Sequence, residues 1–204
     1  MCQCGGSPGS RDKVIALEKL LYEIPTEPPS TLASCCNTCL NSMIHDVQSE
    51  LGSRRGQLFE LVDPTSTEGI EIAKHFNRSI CNKIIRIERI NNPKLLQEFE
   101  KASSGLKPAY FFHGSNNSNY VSIANNGFDI GRSRDGLLGV GIYFAVDAQL
   151  SSQFTTGVRE HRGECIYNML YCKVAVAPED GYECDMRCIR NDRRAYPEYI
   201  IYYI

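Results

Sequence analysis

No run of apolar residues in this 204-residue chain approaches the roughly 18 that cross a bilayer as a helix. The opening stretch, MCQCGGSPGSRDK, also lacks the apolar core of a secretory signal. The expectation is an intracellular protein, cytoplasmic or nuclear, with no membrane span. Basic excess is missing as well: 22 Lys and Arg face 24 Asp and Glu, a net charge of −2. Affinity gained mainly by neutralising nucleic-acid phosphates is thereby excluded. Histidines are few, four in all.

Cysteine, by contrast, is abundant, with ten in the chain. In a short secreted protein that count would suggest a disulfide framework, but without an export signal free thiols or a metal site become the better expectation. Cys2, Cys4, Cys35, Cys36 and Cys39, with His45 nearby, fit no pair-plus-pair zinc spacing. Free thiols or lipid modification of the N-terminal cysteines therefore rank above zinc, and no metal is expected. The length admits one full domain plus an appendage and excludes two large domains.

Residues 1–56 form the expected appendage. RDKVIALEKLLYEI (11–24) spaces its apolar residues as an amphipathic helix, PTEPPSTLA (25–33) reads as a stiff linker, and LGSRRG (51–56) marks a boundary. From residue 57 to 204, short strand and helix signals alternate. LFELV (58–62) and KIIRIERI (83–90) are strand candidates, the latter with Ile84, Arg86, Glu88 and Ile90 on one face. Thr65 and Glu68 have capping-box spacing, and Asn92 with Pro93 sits where an N-cap and first helical residue belong.

AYFFHG (109–114) is a strand running into a turn, and Asn126 with Gly127 closes a short helix. A glycine-rich loop, DIGRSRDGLLGVG (129–141), precedes the strand GIYFAV and the short helix AQLSSQF. In CIYNMLYCKVAVA (165–177) the even positions supply the apolar face, and two further strands are expected near 183–190 and 198–204. Cys184 and Cys188 are expected as semi-buried residues of one strand face. Interspersed short elements of this kind predict an α+β domain with a largely antiparallel sheet.

HGS (113–115), GVGIYFA (139–145) and SSQF (151–154), in that order, with IERINNPKL (87–95) upstream and YPEYII (196–201) at the end, resemble the catalytic domain of the poly(ADP-ribose) polymerase superfamily. These are the diphtheria-toxin-like ADP-ribosyltransferases. The likeness covers roughly residues 57–204 and is nearest to the mono-ADP-ribosyltransferase branch. It implies a split, largely antiparallel sheet flanked by short helices, and NAD+ as co-substrate, its nicotinamide leaving as ADP-ribose passes to an acceptor.

The same resemblance implies the site. His113 would orient a ribose by hydrogen bonding, and Gly114 would meet the carboxamide through its backbone beside Ser115. Ser151 would add its hydroxyl, Tyr143 and Phe154 the two ring faces, and Arg132 or Arg134 a phosphate contact. Chemically these residue types suit the task, since a flat ring is held by aromatic faces and convergent polar groups. Each alone also has a plainer reading, as a structural histidine, a core aromatic or a surface loop.

Polymer-forming relatives carry a glutamate on a late strand, and the matching position here is Met186, completing a triad His113, Tyr143, Met186. A thioether cannot take a proton or offset positive charge as a carboxylate does. Transfer of one ADP-ribose unit to acceptor protein side chains is the expectation, with nucleic-acid ends less favoured. A competing alignment puts Glu198 of PEYII in that slot, and a bulge could bring Asp185 to it. The rival class is an inactive module of the same fold binding NAD, ADP-ribose or a partner protein. A tRNA 2'-phosphotransferase is disfavoured by the missing basic groove.

Overall fold

A computed structural model describes residues 58–159 and 165–204. The expected appendage, with its helix, linker, boundary and cysteine-rich segment, lies outside these residues.

Among the described residues nine strands make the sheet: β1 (Phe59–Leu61), β2 (Ile84–Ile90), β3 (Ala109–His113), β4 (Ile142–Ala145), β5 (Val158–Arg159), β6 (Cys165–Val174), β7 (Gly181–Glu183), β8 (Met186–Ile189) and β9 (Ala195–Tyr203). Their order is β1-β2-β9-β6-β3-β4-β8-β7, with β5 on β6. Every described pairing is antiparallel. Among the described residues four α-helices accompany it: α1 (Thr67–Phe76), α2 (Pro93–Ala102), α3 (Tyr120–Asn126) and α4 (Ala148–Ser152). The architecture is the α+β, antiparallel one that the alternating short elements predict.

Period-two alternation explains the layering. Along β6, Leu170, Cys172 and Val174 point into a cluster with Ile90, Phe111, Phe144, Ile189 and Ile200, which α3 closes with Tyr120 and Ala124. The odd positions Met169 and Tyr171 point the other way, joining Phe112, Tyr199 and Ile201 under Ile72 and Phe76 of α1. Both faces of β6 are thus covered, as befits a strand whose neighbours lie on either side. Ile84 packs on the α1 side instead of beside Ile90. A register shift between Ile84 and Arg86 breaks the alternation and turns it over.

The caps largely follow the sequence. Asn92 accepts from the Leu95 N–H ahead of Pro93, and Gly127, at φ 79°, ends α3. The α1 cap is Ser66, whose side chain accepts from the Gly69 N–H. Thr65 donates instead to Asp63, and Glu68 pairs with Arg89 and accepts from the Tyr199 hydroxyl. The expected 183–190 strand is a hairpin, β7 and β8, turning at Cys184 (φ 40°). Cys184 is therefore exposed while Cys188 is buried, and the two do not share a strand face.

One seam divides the sheet. β3 and β4 share a single Cα pair, Phe112 with Ala145, whereas β3 pairs with β6 along its whole length. β1, β2, β9, β6 and β3, with β5 on β6, stand on one side of this seam and β4, β8 and β7 on the other.

Candidate active site at the sheet seam

The sequence segments HGS, GIYFA and SSQF converge at this seam. His113 ends β3, and its Nδ1 lies 2.8 Å from the backbone carbonyl oxygen of Tyr143 on β4. A carbonyl only accepts, so Nδ1 carries the proton and the lone pair of the neutral ring sits on Nε2. Burial among Phe128 and Phe144, whose centroids lie 5.0 and 5.4 Å from the imidazole, lowers its pKa, with the Tyr143 carbonyl opposing. The neutral ring can thus accept from a ligand hydroxyl.

Gly114 is where the chain turns against α4. A Cβ built there would stand 1.9 Å from the Ser151 carbonyl oxygen and 3.2 Å from the Phe154 Cβ. Only glycine permits that approach. Ser151 is buried, whereas Phe154 is 63% exposed, a ring free to cover a flat ligand. Ser115, the next residue, accepts a hydrogen bond from Asn119 Nδ2 at 2.9 Å.

Tyr143 presents its ring and commits its hydroxyl. The phenol oxygen accepts from the Leu138 N–H at 2.9 Å and donates to the Gly139 carbonyl at 2.7 Å. Burial raises its pKa, with the Leu138 amide opposing. The hydroxyl therefore fastens the end of the glycine-rich loop.

Beside β4, register pairs Tyr143 with Cys188 and Ala145 with Met186. Residues directly opposite share a face, so the half-buried Met186 lies on the Tyr143 face, diagonally about 7 Å from it. Asp185 falls in the turn before β8, where its carbonyl accepts from the Val146 N–H at 2.7 Å, and its side chain is exposed. Glu198 sits on β9, separated from β4 by β6 and β3, roughly 14 Å of sheet. Its Oε2 accepts from the Tyr110 hydroxyl at 2.6 Å.

The two loop arginines, Arg132 and Arg134, stand apart from these contacts. Arg132 ion-pairs with Asp129 at 3.1 Å within its own turn, and Arg134 is exposed on the loop. Among the described residues, no group of His, Cys, Asp and Glu is arranged to hold a metal, and the cysteines are free thiols. No described helix is long and apolar enough to cross a membrane.

Sequence reasoning missed the residues that hold the site in shape. Tyr120, buried in α3, accepts from the Ser115 N–H at 3.1 Å and reaches the Asn168 carbonyl. It thereby fixes the turn after His113. Arg190 grips the glycine-rich loop from outside. The Tyr120–Asn168 and Arg190 contacts act over long sequence separations, and no local pattern marks these residues.

The seam thus brings together a histidine, the aromatics Tyr143 and Phe154, and a glycine turn packed on the helix that carries buried Ser151. Residues 70–202 match the Poly(ADP-ribose) polymerase catalytic domain, and the chain belongs to that family. A probable poly [ADP-ribose] polymerase of Dictyostelium discoideum is 28% identical over 183 residues, 74% of this chain and 54% of that protein. The chain spans about half the length of this curated relative. The domain type implies NAD-dependent ADP-ribosyl transfer, with NAD+ as substrate.

Proposed function

We propose that this chain transfers a single ADP-ribose unit from NAD+ to a protein side chain. The reading rests on one observation above the others: β8 places Cys188 opposite Tyr143 and Met186 diagonally on the same face, and neither is a carboxylate. Nicotinamide would lie between the Tyr143 and Phe154 rings, against the Gly114 backbone and the Ser151 hydroxyl. His113 Nε2 would accept from a ribose hydroxyl, and residues 129–141 would cover the pyrophosphate.

In the reaction the bond from ribose C1' to nicotinamide nitrogen breaks, and the bonding pair leaves with neutral nicotinamide. C1' gains oxocarbenium character and is met by an acceptor oxygen. An acceptor hydroxyl must lose a proton and needs a base; an acceptor carboxylate is already anionic. Met186 supplies no base, which favours a carboxylate acceptor and leaves a ribose hydroxyl unactivated, so a chain of units does not grow. Glu198 is a poor substitute, engaged by Tyr110 on a strand beyond β3 and β6.

Incubating the full chain with labelled NAD+ and a protein extract tests the proposal. Transfer should give products one unit long, sensitive to hydroxylamine as carboxylate esters are, with one nicotinamide released per unit. Binding of NAD+ without turnover would support the inactive-module reading, which the missing carboxylate also favours. An intracellular setting, cytoplasmic or nuclear, and the separateness of residues 1–56 belong to the same proposal.

A further inference from the structure

We propose that Arg190 is a positioning residue for NAD+ binding: it clamps residues 138–140 from outside while Tyr143 holds the same segment from within. This rests on the assignment of the NAD+ site at the seam. Three consecutive carbonyls carry the observation. Arg190 Nη2 donates to the Leu138 carbonyl at 3.1 Å, and Nη1 reaches the Val140 carbonyl at 3.4 Å. Between them, the Gly139 carbonyl accepts from the Tyr143 hydroxyl at 2.7 Å. Gly139 has φ 84°, so the chain twists there and turns successive carbonyls to opposite partners.

The clamp has a fixed base. Arg190 Nε donates to the Glu179 carbonyl at 3.1 Å, and its own N–H donates to Asp180 Oδ1 at 2.9 Å. Asp180 is buried; it also accepts from the Ala177 N–H at 2.8 Å and from Arg194 Nη2 at 3.0 Å. The short turn between β6 and β7 thus delivers a carbonyl to the guanidinium. Three donors in a planar fork meet three carbonyls from two segments, a geometry an ammonium cannot copy. The arginine sits next to the strand that carries Met186, so the loop and the third triad position share one support.

Gripped at its end, the 129–141 loop is preorganised over the dinucleotide, and loosening it should weaken substrate binding before it slows bond breaking. Arg190→Ala and Arg190→Lys in the full chain test this. Both should raise KM for NAD+ roughly five- to tenfold, keep kcat within about twofold, and speed amide exchange at residues 136–141 while β6 exchange stays unchanged. Arg193→Ala, removing an exposed neighbour paired with Glu98 at 3.6 Å, should change none of these. Wild-type KM in Arg190→Lys would show that charge, not the fork, matters and would overturn the proposal. Unchanged exchange at 136–141 in Arg190→Ala would overturn it too, as would kcat falling in step with thermal stability. If the wild-type chain shows no turnover, the reading of function fails, while the exchange measurement still decides whether the clamp exists.

Discussion

The His113 imidazole donates to the Tyr143 backbone carbonyl across the one place where the sheet has only a single ladder pair. A side chain thus ties two halves of the sheet where backbone pairing stops. The same bond fixes the tautomer that leaves Nε2 able to accept from substrate. The structural role of this residue and the binding role proposed for it would be coupled through one proton.

Acid should therefore weaken both. Burial depresses the His113 pKa, so in the folded state the charged form is disfavoured relative to the unfolded chain. The stability this group contributes is fully present above the unfolded value of about 6.5 and is lost as pH falls from there through the folded pKa. Burial lowers the His75 pKa as well, adding to the loss on the same side. Thermal midpoints should fall between pH 7.5 and pH 5, both set as assay conditions about the unfolded pKa. His113→Gln should show a shallower slope. Affinity for NAD+ should decline as pH falls through the depressed folded pKa, because protonation turns Nε2 from acceptor to donor. An affinity profile that stays flat while NMR titration shows the folded-state His113 ring taking up its proton would remove Nε2 as the ribose acceptor.

Gly114→Ala should damage the site more than its size suggests. The added methyl would meet the Ser151 carbonyl at 1.9 Å, backbone against backbone, so α4 must move and carry Ser151 and Phe154 with it. Overpacking of this kind costs about 1–3 kcal/mol, and NAD+ affinity should drop by about tenfold or more. Calorimetric titration and chemical denaturation read the two effects separately. Undiminished affinity would mean that α4 does not border the ligand.

Much of this site was legible because its parts are local. HGS, GIYFA and SSQF each place their residues within one turn or strand, and period-two alternation identifies the inward faces of β6 without coordinates. What was not legible depends on strand order. Whether Met186 or Glu198 lies beside β4 follows from β8 pairing with β4 and β9 with β6, partnerships that no residue pattern encodes. Tyr120 and Arg190 escaped for the same reason, since their partners are backbone groups that carry no sequence signature. The register shift at Ile84 and the turn at Cys184 broke the alternation that predicted their neighbours.

Glu198 and Met186 can be told apart by exchange of one functional group each. Glu198→Gln removes charge from a strand beyond β6 and β3 and leaves an amide beside Tyr110. Transfer should stay within about threefold of wild type, with stability lower by about 1–3 kcal/mol as the charged hydrogen bond is lost. A catalytic carboxylate would instead show a loss of about 100-fold or more. Met186→Glu adds a carboxylate on the Tyr143 face. Nicotinamide release should rise about tenfold, and products longer than one unit should become detectable by gel mobility. If both variants behave as wild type, neither position is the third member of the site.

The carboxylate of Asp180 anchors the hairpin that carries Met186. Its Oδ1 accepts from the Arg190 N–H and from Arg194 Nη2, and its Oδ2 from the Ala177 N–H. Arg194 is 4% exposed and its Nε has no hydrogen-bond partner, so the guanidinium depends on Asp180 and on Glu179, 2.9 Å away. Asp180→Ala would leave that charge buried and half-compensated, which costs about 3–5 kcal/mol. Removing the charge as well, in Asp180→Ala with Arg194→Met, should recover part of the loss, because a well-packed apolar side chain carries no desolvation penalty. Denaturant unfolding of the two single variants and the double variant gives the coupling directly. Additive losses would mean that the pair is not coupled and that the hairpin is held by its backbone ladder alone.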